Sequence, residues 1–261
     1  MNIAVCVKQT FDTEAQIKLD SQGLISTEGV NLIINPYDEY AIEEAIQIKE
    51  KLGGEVTVIS MGQDKAEEAL RQALAMGADK AILLSDPQFD GGDEATTALA
   101  LSKALENGGY DLILCGYKAV DDGSSQVATR LAERLGLPQV NIVTKLEIVG
   151  EGKLLAQRET DGGSEVVEIS LPALITAQKG LNEPRYPAMK GIMQAKKKEL
   201  KRFTAADLNL DGNSVGSLGA KVKIISFTLP AARTGGKVLE GTAQETSKLL
   251  ADSLRREAKV I

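Results

Sequence analysis

Two rhythms of apolar and polar positions alternate along the first half of this chain. Short apolar runs at Ile3 to Val7, Glu55 to Ser60, Ala81 to Leu84 and Leu112 to Leu114 have the unbroken character of strands covered on both faces. Between them apolar residues recur every three or four positions, the spacing of a helix packed on one side. Asn35 predicts an N-cap and Pro36 a first helical position, with Asp38 and Glu39 at the positive helix end. Ala41, Ile42, Ala45, Ile46 and Ile48 extend this stripe to about Leu52, where Gly53-Gly54 stops it. Asp64, with Glu67 three residues on, predicts the cap of a second helix running through Met76-Gly77. Asp93 predicts the cap of a third, from about Glu94 to Glu106. This succession implies a mostly parallel sheet with right-handed crossovers.

The pattern turns polar after Gly116. Asp121, Asp122, Gly123, Ser124, Ser125 and Gln126 crowd together before Val127, Leu131 and Leu135 open a new helical face that Gly136 ends. A strand, a polar loop and a helix start of this kind make a ligand crevice in an open α/β sheet. The helix N-terminus offers N–H groups to a phosphate. Ser124, Ser125 and Gln126 add side-chain donors, and Asp121 or Asp122 could accept from a ribose hydroxyl. The plainer reading is a loop with a Ser or Asp N-cap.

Beyond Pro138 the rhythm is that of antiparallel strands at Asn141 to Val149, Lys153 to Glu159 and Val166 to Ser170, joined by Gly150-Glu151-Gly152 and Asp161-Gly162-Gly163. Leu171 to Ala177 predicts a further strand, and Gln16 to Leu19 with Leu24 to Ser26 a hairpin. Met189 to Lys198 reads as a helix with a solvated basic end, Thr204 to Gly219 as a linker, and Val222 to Leu229 as a strand. A helix from about Thr242 to Ala258 closes the chain. The fold class is thus α/β: a Rossmann-like, mostly parallel sheet with flanking helices, antiparallel hairpin additions and a C-terminal helical arm. Residues 1–205 are expected to form the nucleotide-binding domain, and 206–261 a linker, strand and helix.

Composition narrows the function. The 261 residues are 43% hydrophobic, enough for a core, and no apolar run approaches a membrane span. The start, MNIAVCVKQ, enters a strand directly, which predicts a cytoplasmic protein. Histidine is absent, which excludes histidine-based triads, and the cysteines Cys6 and Cys115 fall in predicted buried strands. A net charge of −7 argues against nucleic acid. The G-x-G-x-x-G fingerprint is missing, and Gly116-Tyr117-Lys118 is too thin for a phosphate loop of an ATP-using enzyme.

Several motifs in a fixed order carry a resemblance. They are Asn35-Pro36-Tyr37-Asp38-Glu39 before an Ile42-Glu43-Glu44-Ala45 helix; Ala73-Leu74-Ala75-Met76-Gly77-Ala78-Asp79; and Cys115-Gly116 with Asp121-Asp122 and Gln126. Arg158-Glu159, Asp161-Gly162-Gly163, Leu181-Asn182-Glu183-Pro184-Arg185-Tyr186, Ile192-Met193 and Ala195-Lys196-Lys197-Lys198 complete the set. In this order the chain resembles the beta (small) subunit of electron transfer flavoprotein, over nearly its whole length and most strongly over residues 1–205.

The resemblance implies a non-catalytic electron-transfer subunit. It implies a heterodimer with an alpha subunit that carries most of the FAD, and AMP buried in this chain. Electrons would pass from acyl-CoA dehydrogenases or similar flavoenzymes to a quinone oxidoreductase or another acceptor. The implied AMP contacts fall on Cys6, on Asn35, Pro36, Tyr37 and Asp38, on Met61, and on Gly116, Ala119, Val120, Asp121, Asp122, Gly123, Ser124, Ser125, Gln126 and Val127. Phe11 to Thr13 fall where the family's beta subunit approaches the flavin ring. The implied partner-recognition loop spans about 181–198, with Pro184, Arg185, Tyr186, Met189, Ile192 and Met193 as contacts and Met189 as its apolar anchor. The bland alternative for Met189 is an ordinary core or surface residue. Glu159 matches a position that pairs with a basic residue of the alpha subunit's mobile domain. The alternative is an electron-bifurcating relative that oxidises NADH and carries a second FAD in place of AMP. Gln126-Val127 matches that form and Asp121-Asp122 the common one. Different in class are a free-standing nucleotide-binding regulator and a phosphoryl- or adenylyl-transfer enzyme.

Overall fold

A computed structural model describes residues 1–150, 152–232 and 235–261. They divide into two compact units, Met1–Gln16 with Thr27–Ile225, and Ile17–Ser26 with Ser226–Ile261.

The first unit runs β1 (Asn2–Cys6), β2 (Gln9–Phe11), β3 (Leu32–Ile34), α1 (Pro36–Leu52), β4 (Glu55–Met61), α2 (Ala66–Met76), β5 (Lys80–Leu84), α3 (Glu94–Leu105), β6 (Leu112–Gly116) and α4 (Val127–Leu135). It continues through β7 (Gln139–Ile148), β8 (Lys153–Thr160), β9 (Gly163–Ser170), β10 (Ala173–Ala177), α5 (Met189–Ala195), β11 (Leu200–Phe203) and α6 (Gly216–Gly219). Among the described residues the main sheet orders these strands β11-β5-β4-β1-β6-β10-β7-β8-β9. Pairing is parallel from β11 to β7 and antiparallel from β7 to β9. β2 and β3 form a separate antiparallel ribbon.

Pleating sends neighbouring side chains of the central strands to opposite faces. Ile3, Val5, Val56 and Val58 pack with Ile42 and Ile46 of α1 and Leu70 and Leu74 of α2. Ala4, Ile59 and Ile113 pack with Ala98 and Leu101 of α3 and Leu131 of α4. From β1 the chain winds to β4 and β5 on one side, then returns to β6 on the other. The topological switch point therefore lies between β1 and β6, and the carboxyl ends of these strands are where an open α/β sheet has its ligand crevice.

Several local expectations change. Asp64 does not cap α2, whose N-cap is Lys65 without a side-chain bond. Arg202 draws the Asp64 carboxylate outward instead, together with Glu67. β11 is a strand the pattern hid, because Lys201 and Arg202 sit in its middle and it occupies the sheet edge. The ribbon of β2 and β3 is likewise additional. The predicted linker contributes packed residues, since Ala205 and Val215 are buried and α6 lies within it. Val222 to Leu229 forms no strand among the described residues. The helix from Met189 ends at Ala195, short of Lys198. Lys198 is not solvated but donates to the carbonyls of Leu74 and Ala78 at the end of α2. In the predicted Gly150-Glu151-Gly152 turn, Glu151 lies outside the described residues.

In the second unit, the expected hairpin is a single bridge between Leu19 and Ile25 around a turn held by Asp20, whose carboxylate accepts the Gln22 and Leu24 N–H groups. Helix α7 (Ala243–Arg256) begins with a reciprocal cap between Thr242 and Glu245, and none of its residues is buried. Among the described residues no helix is long and apolar enough to cross a membrane.

Candidate functional site

The crevice is assembled from chain ends that the sheet brings together. Cys6 at the end of β1 sits in register with Cys115 of β6 and Ile59 of β4, next to Gly116 and Met61. Both cysteines are buried free thiols. α1 begins over this edge, and Asp38 in its first turn joins the two strands. Its Oδ2 accepts the Lys8 N–H at 2.7 Å, and its Oδ1 accepts the Gly116 N–H at 3.0 Å and the Asn35 Nδ2 at 3.0 Å. A Cβ at Gly116 would stand 2.3 Å from that Oδ1 and 2.8 Å from the Tyr37 carbonyl carbon, so only glycine permits this approach. Burial pushes the Asp38 carboxyl up to about 7, against the N–H donors of Lys8, Asn35 and Gly116 and the Lys8 charge.

Asn35 occupies the N-cap position of α1 without capping it. Its side chain reaches the loop after β6 instead, donating to the Lys118 carbonyl at 2.9 Å and accepting the Val120 N–H at 3.1 Å. Pro36 takes the first helical position, and the Tyr37 ring lies edge-on to Tyr117 at 4.5 Å, with the Lys118 ammonium over both rings. The loop closes on itself where Gly123 N–H donates to the Ala119 carbonyl. Asp121 and Asp122 both take Lys8, at 2.8 and 2.9 Å, while Asp122 also accepts the Ser124 N–H. Burial alone would raise the Asp122 carboxyl, but Ser124 and Lys8 together hold it below its ordinary value. Ser125 stands at φ 56°, a left-handed conformation uncommon for a residue with a side chain.

α4 then starts without any capping side chain. The Ser or Asp cap is not what the structure has: Gln126 holds the N-cap position, and its side-chain Oε1 accepts the Arg130 guanidinium. Among the described residues the first N–H groups of α4 therefore have no side-chain acceptor, and the helix is fixed from behind by buried Ala128 and Leu131. The predicted nucleotide residues from four chain regions thus lie at the carboxyl ends of β1, β4 and β6 and the start of α1. Lys8 is the residue sequence reasoning missed. Its one sequence signal was a lone lysine directly after the first predicted strand.

The partner-loop residues form a second group. Tyr186, Met189 and Met193 are 95%, 77% and 71% exposed, and Ile192 is also exposed. Met189 is therefore no core residue. Pro184 and Arg185 are half-buried, and Arg185 faces inward onto α1 through Glu43 and Glu50. Glu159 is exposed on β8, in register with Ser164 of β9, and belongs to neither group.

Comparison with known proteins shows the family. The profile of the electron transfer flavoprotein domain matches residues 22–208. A protein of Syntrophomonas wolfei named electron transfer flavoprotein subunit beta is 49% identical over 261 residues, covering 100% of this chain and 98% of that one. Proteins of the same name from Bacillus subtilis, 47% identical with 100% of both chains covered, and Clostridium acetobutylicum, 40% identical with 98% and 99% covered, are also similar. With a crevice at the switch point and this similarity over its full length, the chain belongs to the electron transfer flavoprotein family, among its beta subunits.

Proposed function

We propose that this chain pairs with an alpha subunit that carries FAD and that it holds AMP in the crevice between β1 and β6. The heterodimer passes electrons from acyl-CoA dehydrogenases or similar flavoenzymes to a quinone oxidoreductase or another acceptor, in the cytoplasm. The observation that carries the nucleotide reading is the uncapped start of α4. It faces a loop stapled by Asn35 and lies at the switch point where α/β sheets take ligands. The α4 N–H groups, Ser124 and Ser125 would hold the phosphate, with Lys8 supplying positive charge nearby. The crevice lining of Cys6, Asn35 to Asp38, Met61 and Gly116 to Val127 would enclose the rest of the nucleotide. FAD, when bound, supplies the redox chemistry. The chain's own residues bind, orient and exclude water around the two cofactors.

The domain boundary at about 205, with the segment beyond it packing against the alpha subunit, belongs to the same proposal. So do the approach of Phe11 to Thr13 to the flavin, the pairing of Glu159 with the alpha subunit and the docking of the dehydrogenase on Met189. The test is purification of this chain coexpressed with its alpha subunit. A stable yellow heterodimer is expected. A colourless, stable monomer would make the chain a free-standing nucleotide binder.

A further inference from the structure

The segment that carries the exposed apolar residues has little means of holding its own shape. α5 has seven residues, its N-cap Ala188 makes no capping bond, and only Ala195 in it is buried. An isolated helix of that length does not persist in water. Its geometry must come from its packing on α2 and from its flanks, and both flanks are tied to the body by charged groups.

On the N-terminal side, the Arg185 guanidinium grips two carboxylates at once. Nε and Nη2 donate to Glu43 at 2.8 and 3.0 Å, and Nη1 and Nη2 donate to Glu50 at 2.6 and 3.0 Å. The Arg185 backbone N–H adds a bond to Glu43. Glu43 and Glu50 stand seven residues apart, two turns along one face of α1. Glu43 is buried, and burial would raise its carboxyl, yet Arg185 and Gln47 hold it below its ordinary value. Asn182 ties down the start of the segment, donating to the Tyr40 carbonyl and to Glu44. On the C-terminal side Arg71 of α2 donates to the carbonyls of Ala195 and Lys198, and Lys198 returns to the end of α2. Gly191 lies so close to α2 that a Cβ there would stand 2.3 Å from the Ala75 carbonyl oxygen.

We infer that Arg185 is a positioning residue for partner docking: by clamping Glu43 and Glu50 it fixes the loop that presents Tyr186, Met189 and Met193. In this reading Arg185 acts through α1, on which four of its guanidinium hydrogen bonds converge, rather than as a direct contact. The inference rests on the docking role proposed above for Met189. Only arginine suits the task, because its planar fork grips two carboxylates where lysine offers one point charge. Buried Glu43 needs a cation in any variant. Arg185→Lys keeps a charge beside it, and Glu50→Ala cuts only the exposed half of the clamp.

The test uses the intact heterodimer as electron acceptor for an acyl-CoA dehydrogenase, together with hydrogen exchange across residues 186–195. Arg185→Lys is expected to raise the apparent KM for the heterodimer roughly tenfold, the loss of one charge-assisted fork. The kcat at saturation should hold and exchange in 186–195 should quicken; Glu50→Ala should move both readouts in the same direction by less. An unchanged KM or unchanged exchange in Arg185→Lys overturns the clamp. Met189→Ala, run in parallel, separates the two ideas. If it leaves KM unchanged, the docking reading fails, and the exchange data alone then decide whether Arg185 shapes the loop.

Discussion

Asp38 is the residue on which the crevice closes, since one carboxylate joins the end of β1, the end of β6 and Asn35. Its carboxyl sits at about 7 because burial outweighs its donors. In the unfolded chain the same group titrates at about 4. Between about pH 4 and about pH 7 the folded state keeps a proton that the unfolded chain has released, so stability falls as pH rises through that window. Asp38→Asn cannot ionise, and its stability should follow a flatter course over that range in denaturant titrations of the nucleotide-free chain. Parallel pH courses for the two proteins would show that Asp38 is ionised throughout. Asp121 and Gln126 are engaged by Lys8 and Arg130. Replacing both with Ala should lower nucleotide content and melting temperature together. A ligand present at about a hundredfold its Kd stabilises the folded state by about 2.7 kcal/mol. Full AMP content in that double variant would remove these residues from the site. Most crevice residues were legible because residue type and place agreed: polar, glycine-bearing stretches directly after buried strands. Lys8 was not, since a single lysine after a strand is usual on any surface, and only the fold brings it against Asp121 and Asp122.

At the scale of elements, α4 is the part whose position matters most. Leu131 is fully buried and fixes the helix against the sheet, so the orientation of its N–H groups depends on packing behind them. Leu131→Ala should cost about 2–5 kcal/mol of stability, as for other buried leucines. It should also weaken nucleotide retention, measured as AMP per protein after gel filtration. A destabilised variant that retains AMP fully would separate the helix from the site. The helices and central strands were legible because apolar stripes and glycine stops agreed, as for Pro36 to Leu52 and for Val127 to Gly136, although neither helix has the side-chain cap its sequence suggested. β11 was illegible because charged residues in an edge strand look like a loop. Val222 to Leu229 was overread for the opposite reason: an alternating pattern is compatible with a strand, but pairing needs a neighbour that sequence does not supply.

At the scale of the whole molecule, the proposed pairing with an alpha subunit turns on exposed side chains. Glu159, exposed on β8, suits a weak pair with the alpha subunit, on the order of 0–1 kcal/mol. Glu159→Ala should leave FAD bound to the heterodimer while changing the rate of electron delivery to the acceptor. Release of FAD from that variant would mean that Glu159 supports the cofactor rather than the docked arrangement of domains. The fixed order of sequence motifs, from Asn35-Pro36-Tyr37-Asp38-Glu39 to Ala195-Lys196-Lys197-Lys198, carried the family resemblance across most of the chain. Identity of 49% over its full length to a named beta subunit agrees with it.

The central claim is that the crevice between β1 and β6 holds AMP while FAD belongs chiefly to the alpha subunit. The most direct test is to denature the purified heterodimer, separate the released nucleotides by chromatography and count them against protein. The account predicts one AMP and one FAD per heterodimer, with AMP lost and FAD retained in the Asp121→Ala, Gln126→Ala variant. Two FAD and no AMP would place the chain among the bifurcating relatives, and one FAD with no second nucleotide would contradict a nucleotide site in this crevice.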